Sequence, residues 1–475
     1  MNIVLAIVQF IVSEILSKPP LLVGLIALLG LLVLRRPVSE LIAGTLKTIV
    51  GFLILTGGAT ILIGALAPLG TMVQAGFHLQ GVVPTNEAIV SLAQKAFGAP
   101  TALIMAFGFL VNLILARLTP VKFVFLTGHH LFYMATVLAV VLGSAGITGI
   151  HQVILGALML GTIGAVMPAL VHPFTRKVTR DAGFALGHFN TFGYITSGLV
   201  GKLVRRLGAP RASAEDLVVP EGLSFLRDSL VMTTLTMVII YLVLAIIAGP
   251  AALAQAAGGG NYIMFALTQA LTFGAGVAII LVGVRMILAE IVPAFRGIAE
   301  KVVPNALPAL DCPTTFPFAP NAVLIGFIMS LLGGIVGLFL MGPLGLALII
   351  PGMVPHFFDG GTSGVYGNSS GGWLGAAVGA FINGLLITLL PALLLAFMGS
   401  FGLANTTFGD TDFCLAGIIT GLGAKAGFFG SYAVVVVLTI VLLALASFVT
   451  LRITPRSGPQ EETPETAQAT AETTA

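Results

Sequence analysis

From Thr148 to Val171 the chain carries no Lys, Arg, Asp or Glu, and the run closes on Arg176, Lys177 and Arg180. About 20 apolar residues in a helix cross the hydrocarbon core of a bilayer. This run has many counterparts: Pro20–Leu34, Ile49–Ala67, Thr101–Ala116, Val124–Leu142, Leu230–Ile247, Met264–Val282, Val323–Leu340, Ala380–Phe397 and Ala433–Val449. In lipid every backbone polar group must be paired inside the protein, which makes the helix the natural form of such runs. The composition agrees, with 57% hydrophobic and 8% charged residues over 475 positions, where a soluble domain carries about 25% charged. The expectation is an all-α integral membrane protein with about eleven transmembrane helices plus re-entrant hairpins.

Several function classes drop out. The basic residues fall in small scattered clusters without interleaved aromatics, so there is no nucleic-acid signature. Cys312 and Cys414 form neither a disulfide framework nor a zinc spacing; both read as packed thiols, and no metal or cofactor is expected. No nucleophile–base constellation suggests an intramembrane enzyme, so the chain reads as no enzyme on its own. Met1 to Leu16 lacks the basic start of a signal peptide and reads as a helix leading into the first span.

The basic clusters order the topology. With Arg35 and Arg36 in the cytoplasm by the positive-inside rule, the turn at Arg117–Lys122 and the end at Arg176–Arg180 also fall inside. The segment 182–200 then starts and ends on one side and holds Gly183, Gly187, His188 and Gly193, the pattern of a re-entrant hairpin buried among helices. A cytoplasmic loop, 201–222, closes an N-terminal repeat over residues 1–222. The C-terminal repeat, 223–453, contains a polar, proline-rich loop at 304–320 and a second Gly-, Ser- and Asn-rich hairpin at 359–377. Residues 454–475 have the composition of a disordered cytoplasmic tail. Matching order in the two parts, starting from opposite sides, predicts two inverted repeats, whose broken helices build transporter sites near the midplane.

The polar residues inside the apolar frame are few. Thr85 and Asn86 lie in the first polar loop, His129 and His130 open a span, His188, Asn190 and Thr191 lie in the first hairpin, and Asp311 lies in the second polar loop. An ionisable residue at membrane depth marks a functional site by default. Hydroxyls, amides, imidazoles and one carboxylate offer the directional donors and acceptors suited to a polyhydroxylated ligand, whereas a phosphate site would call for arginines. Arg285, five residues before Glu290, reads as half of a structural or gating ion pair.

Leu310-Asp311-Cys312, followed by Phe318-Ala319-Pro320-Asn321-Ala322-Val323, resembles the membrane (IIC) component of the ascorbate-type phosphotransferase system. Leu126-Thr127-Gly128-His129, Gly183-Phe184 with Gly187-His188, and Gly283-Val284-Arg285-Met286 with Ala289-Glu290 follow the same family's order, and the resemblance runs from about Pro20 to Val449. It implies a homodimeric permease of the bacterial cytoplasmic (inner) membrane, each subunit having a core and a scaffold domain. The core would carry L-ascorbate by an elevator-type movement, and cytoplasmic B and A subunits would supply the phosphoryl group. The residues matching the family's ligands are Thr85, His129, His188 and Asp311. Tyr133 and Phe189 stand where the family typically has glutamine, so the expected substrate is L-ascorbate or a related sugar acid or polyol. An alternative on the same fold is a transporter driven by an ion gradient, with Asp311 as its coupling site.

Overall fold

The computed structural model describes residues 10, 14, 18–77, 82–84, 86–210, 212–217, 229–301, 303, 306–403 and 406–453. The expected tail at 454–475, Thr85, Arg211, His78 and the loop 218–228 lie outside them, as does the side chain of Glu290 and therefore its expected pair with Arg285.

Helix dominates. Among the described residues the first half contains α1 (Pro19–Val33), α2 (Val38–Phe77), α3 (Asn86–Leu118), α4 (Gly128–Ser144), α5 (Gly149–Thr179) and α6 (Thr191–Arg206). The second half contains α7 (Ser229–Leu253), α8 (Tyr262–Lys301), α9 (Pro320–Met341), α10 (Met353–Leu394), α11 (Thr411–Lys425) and α12 (Gly427–Phe448). Five helical stretches among the described residues are long and apolar enough to cross a membrane: Ala96–Leu118, Gly149–Thr179, Pro320–Met341, Val354–Phe397 and Gly427–Arg452.

Several boundaries differ from the sequence reading. The span expected to stop at Pro68 continues, because α2 carries that proline in its interior; neighbouring helices in a membrane protein re-satisfy the backbone group a proline frees. The 101–116 span is the second part of α3, which bends at Phe97 (φ −122°, ψ 15°) just before Pro100, as the proline ring's clash with the preceding turn requires. The segment at 182–200 has two unlike legs. Its first leg is the extended β3 (Ala185–Leu186) and only its second leg is helical, as α6. At 359–377 the chain does reverse, within α10, at Gly372 (φ 67°, ψ −165°), a backbone state open to glycine. A Cβ on Gly367 would strike the carbonyl of Gly375, so the two helical legs fold back on each other.

The all-α expectation also needs an addition. β4 (Leu307–Leu310) lies between β2 (Phe123–Phe125) and β3, with both pairings parallel. In a second group β1 (Val83–Pro84) pairs in parallel with β5 (Thr406–Thr407). On its other side Val82 N donates to Leu348 O (2.8 Å) and Ile350 N donates to Val82 O (2.9 Å). Each central strand therefore comes from one half of the chain and both its neighbours from the other. Extended backbone inside a membrane bundle is tolerated where, as here, the strands pair with one another inside protein.

The helices pack in two groups. α1, α2, α7 and α8 pack chiefly on each other, with Tyr241 donating its hydroxyl to Ala65 O. α3 to α6 and α9 to α12 surround the strands, with α10 packed on both α9 and α6. On the outer side of this second group, residues 212–217 strap the α10 reversal. Trp373 N donates to Ala212 O (3.0 Å), Ala214 N donates to Asn368 Oδ1 (2.8 Å), and Glu215 accepts from Asn321 N and Ala322 N at the start of α9.

Candidate functional site

The strands end where the polar residues begin. Two residues beyond β3 lies His188; directly after β4 lies Asp311; α4, entered from β2, opens with Gly128, His129 and His130. Strand pairing carries these side chains to one place. Gly187 crosses β4 so closely that a Cβ there would meet Ala309 O, and its carbonyl accepts from Thr127 Oγ1.

His188 is the hub. Its Nδ1 is 2.8 Å from Asp311 Oδ1, and its Nε2 is 2.9 Å from Asp359 Oδ1 and 3.6 Å from Asp410 Oδ2. Asp311 Oδ1 also accepts from Cys312 N (2.7 Å), while its Oδ2 faces His129 Nε2 at 3.5 Å. Asp359 Oδ1 accepts a second bond from Tyr194 OH (3.1 Å). His130 Nδ1 accepts from Phe189 N (3.2 Å) and lies 3.7 Å from Asp410 Oδ2. Asn86 Nδ2 donates to Asp410 Oδ1 (2.7 Å), and Gly409 N donates to Asn86 Oδ1 (2.9 Å).

Two helix beginnings meet behind this hub. Asp412 accepts from Thr191 N and Phe192 N, both at 2.9 Å, at the start of α6. Asn190 Oδ1 accepts from Thr411 N (2.9 Å) at the start of α11, and Asp412 N donates to Phe189 O (3.0 Å). The first turn of a helix leaves amide donors unpaired and carries partial positive charge. Each helix thus finds its caps on the other chain half.

Of the expected site residues, His129, His188 and Asp311 come together directly, and Asn86 joins them through Asp410. Tyr133 lies one turn along α4 with its ring edge-on to His129, centroids 5.7 Å apart. Phe189 meets the cluster through its main chain and through its buried ring, which stacks on Phe125 at 4.3 Å and lies tilted beside the His130 ring, centroids 5.9 Å apart. The open edge of the cluster is formed by His129 and Asp311, whose side chains are 21% and 17% exposed, against 1% for Asp359 and 4% for Asp410. A ligand entering there meets imidazole N–H or lone pair, carboxylate oxygen and phenol, which together recognise hydroxyl groups.

Sequence reasoning left Asp359, Asp410, Asp412 and Tyr194 out of the site. A signal for the two later aspartates was present: they stand between the apolar runs 380–397 and 433–449, the setting in which a carboxylate is functional by default. In the sequence Asp359 stands as the border of a glycine-rich segment. Distances alone would also allow a divalent ion, since the donor atoms of His130, His188 and Asp410 lie within 4.8 Å of one another. The nitrogens concerned are engaged by Phe189 N–H and by Asp359, and the cluster is described better as a closed hydrogen-bond network.

Residues 14–412 match the family described as PTS system sugar-specific permease component. The chain is 29% identical over 436 residues to a protein of Mycoplasma pneumoniae (strain ATCC 29342 / M129 / Subtype 1) described as "Ascorbate-specific PTS system EIIC component". That match covers 80% of this chain and 65% of the relative, so the chain spans somewhat less than two thirds of the relative's length.

Proposed function

Because the chain belongs to the family of phosphotransferase-system sugar-specific permease components, we propose that it is the membrane IIC subunit of such a system, translocating L-ascorbate or a related sugar acid or polyol. It is a transport subunit, and phosphorylation of the substrate falls to a separate cytoplasmic B subunit charged by an A subunit. The observation that carries this reading is the meeting of His129, His188 and Asp311 at the open edge of a buried polar cluster, with Asp311 held between the two histidines. A carboxylate ordered by its neighbours is a strong acceptor for a sugar hydroxyl. Thr85 and Asn86 from the first polar loop and Tyr133 beside His129 complete the substrate-binding set, with Phe189 contributing main chain.

Two inverted repeats, about eleven crossings and a division into core and scaffold extend the proposal. The crossed strand pairing supports the repeats, since β1 and β4 each lie between segments of the other half. The mutual packing of α1, α2, α7 and α8, one helix pair from each half, supports a scaffold against which the remaining helices move in an elevator-like step. The subunit is proposed to be a homodimer in bacterial membrane lipid.

The test is uptake of labelled ascorbate, aldonates and hexitols into cells lacking their own ascorbate permease, with and without A and B subunits. Accumulation of phosphorylated substrate only when both subunits are present is expected. Accumulation without them, abolished by collapsing the proton gradient, would replace this reading by the ion-driven one with Asp311 as coupling site.

A further inference from the structure

One buried carboxylate is not accounted for by capping or by substrate contact. Asp359 closes the second turn of α10 and is 1% exposed. Its Oδ1 takes both His188 Nε2 and Tyr194 OH, while its Oδ2 is buried without a hydrogen-bond partner among the described residues. Leaving a buried charged acceptor unsatisfied costs stability, so packing alone does not explain an aspartate here.

The geometry around His188 gives it a role. A neutral imidazole donates from one nitrogen and accepts at the other. Here both nitrogens face carboxylate oxygens, at 2.8 and 2.9 Å, and a carboxylate without a proton can only accept. Two such contacts are satisfied together when the ring donates from both nitrogens. Other titratable groups face the same ring from every packed element: Cys312 beside Asp311, Asp410 ahead of α11, Tyr194 from α6 and His130 from α4. Only Asp311 and Asp359 are within hydrogen-bonding distance among these carboxylates.

We propose that Asp359 is a positioning residue for substrate recognition: from α10 it holds the Nε2–H of His188, so that the Nδ1–H is turned onto Asp311 Oδ1 and Asp311 Oδ2 stays an acceptor for a substrate hydroxyl. Asp359 acts through His188 and is 1% exposed, so it does not itself face the ligand. Tyr194, donating to the same Oδ1, fixes the carboxylate from the helix that follows His188. In this arrangement α10 senses the occupancy of Asp311 through one imidazole ring, since anything that withdraws Asp311 from Nδ1 alters the contact of Nε2 with Asp359. This inference rests on the substrate reading of Asp311 given above.

The experiment uses the full chain in lipid nanodiscs with ring-15N-labelled histidine. Ring nitrogen spectra are recorded for the wild type, Asp359→Asn and Asp359→Glu, with His188→Gln assigning the signal. Calorimetric affinities are measured for L-ascorbate, gluconate and sorbitol. In the wild type both His188 nitrogens are expected to carry protons. In Asp359→Asn one nitrogen is expected to lose its proton and affinity for the bound probe to fall about tenfold or more, with partial recovery of both in Asp359→Glu. A wild-type His188 protonated on one nitrogen only overturns the proposal, and that measurement stands even where Asp359→Asn does not fold. Unchanged ring spectra and affinity within twofold in Asp359→Asn overturn it as well. If no probe binds the wild type, the substrate reading fails on its own, and the spectra still decide the role of Asp359.

Discussion

The two small parallel sheets have the same plan and opposite chemistry. In one, β4 runs between β2 and β3 and delivers Asp311 to His129 and His188, an arrangement with an open edge. In the other, β1 runs between the 348–350 segment and β5 and delivers Asn86 to Gly409 and Asp410, an arrangement closed on itself by two short hydrogen bonds. A backbone plan used twice thus presents an exposed polar edge at one copy, where substrate contacts are proposed, and a hydrogen-bonded clasp at the other. The difference lies in the side chains: the Asp311 carboxylate faces two imidazoles at the exposed edge, whereas the Asn86 amide donates to Asp410 and accepts from Gly409 N.

The comparison breaks most sharply at Asp311. Asp311→Asn is expected to lower substrate affinity about 10- to 100-fold, the value of a hydrogen bond to a charged group, with the protein still monodisperse; calorimetry with size-exclusion chromatography measures both, and wild-type affinity would remove Asp311 from the site. His188→Ala should come next, weakening affinity about tenfold, while His151→Ala changes it less than twofold, because His151 sits on the exposed face with its Nδ1 on Tyr432 OH. The reverse ranking in the same titrations would undo the assignment of the first sheet as the ligand copy. Asn86→Ala probes the clasp. It removes the Asn86 donor from Asp410 Oδ1 and should cost about 1–3 kcal/mol of stability with a smaller change in affinity than His188→Ala, read by thermal unfolding in detergent beside the same calorimetry. Phe189→Gln should lower the unfolding midpoint without improving ascorbate affinity, since an amide there replaces a ring stacked on Phe125, whereas Tyr133→Gln changes the exposed edge and should alter the preference between ascorbate and polyols. The smallest effect is expected from deleting Pro459 to Ala475, with transport in the uptake assay unchanged.

How much of this was legible in the sequence follows from the kind of signal each feature leaves. Apolar runs announce the helices, and the family motifs single out His129, His188 and Asp311, which the fold brings together. Pro68 misled, because a proline that ends a helix in water can be carried inside one in a packed membrane bundle. β3 was hidden because two extended residues leave no periodicity, and they pair with a strand more than a hundred positions away. Asp359, Asp410 and Asp412 were visible as letters, but their roles depend on contacts across the two halves, such as Asp412 capping α6, which local spacing does not encode. The motif match at Phe189 carries no information on its ring, which turns to Phe125.

The crossed pairing of the strands has a consequence for biogenesis. When the first 222 residues have been inserted, β2 and β3 have no strand between them, the amides opening α6 lack Asp412, and β1 has neither neighbour. Each of those groups is satisfied only after residues 307–310, 348–350 and 406–412 have left the ribosome. An unpaired backbone group in hydrocarbon costs several kcal/mol, so the N-terminal half is an incomplete assembly while synthesis continues, and the chain reaches its folded state only when its last third has been threaded into the gaps. Two separately encoded halves would then accumulate only when made in the same cell, each serving as the other's missing interior.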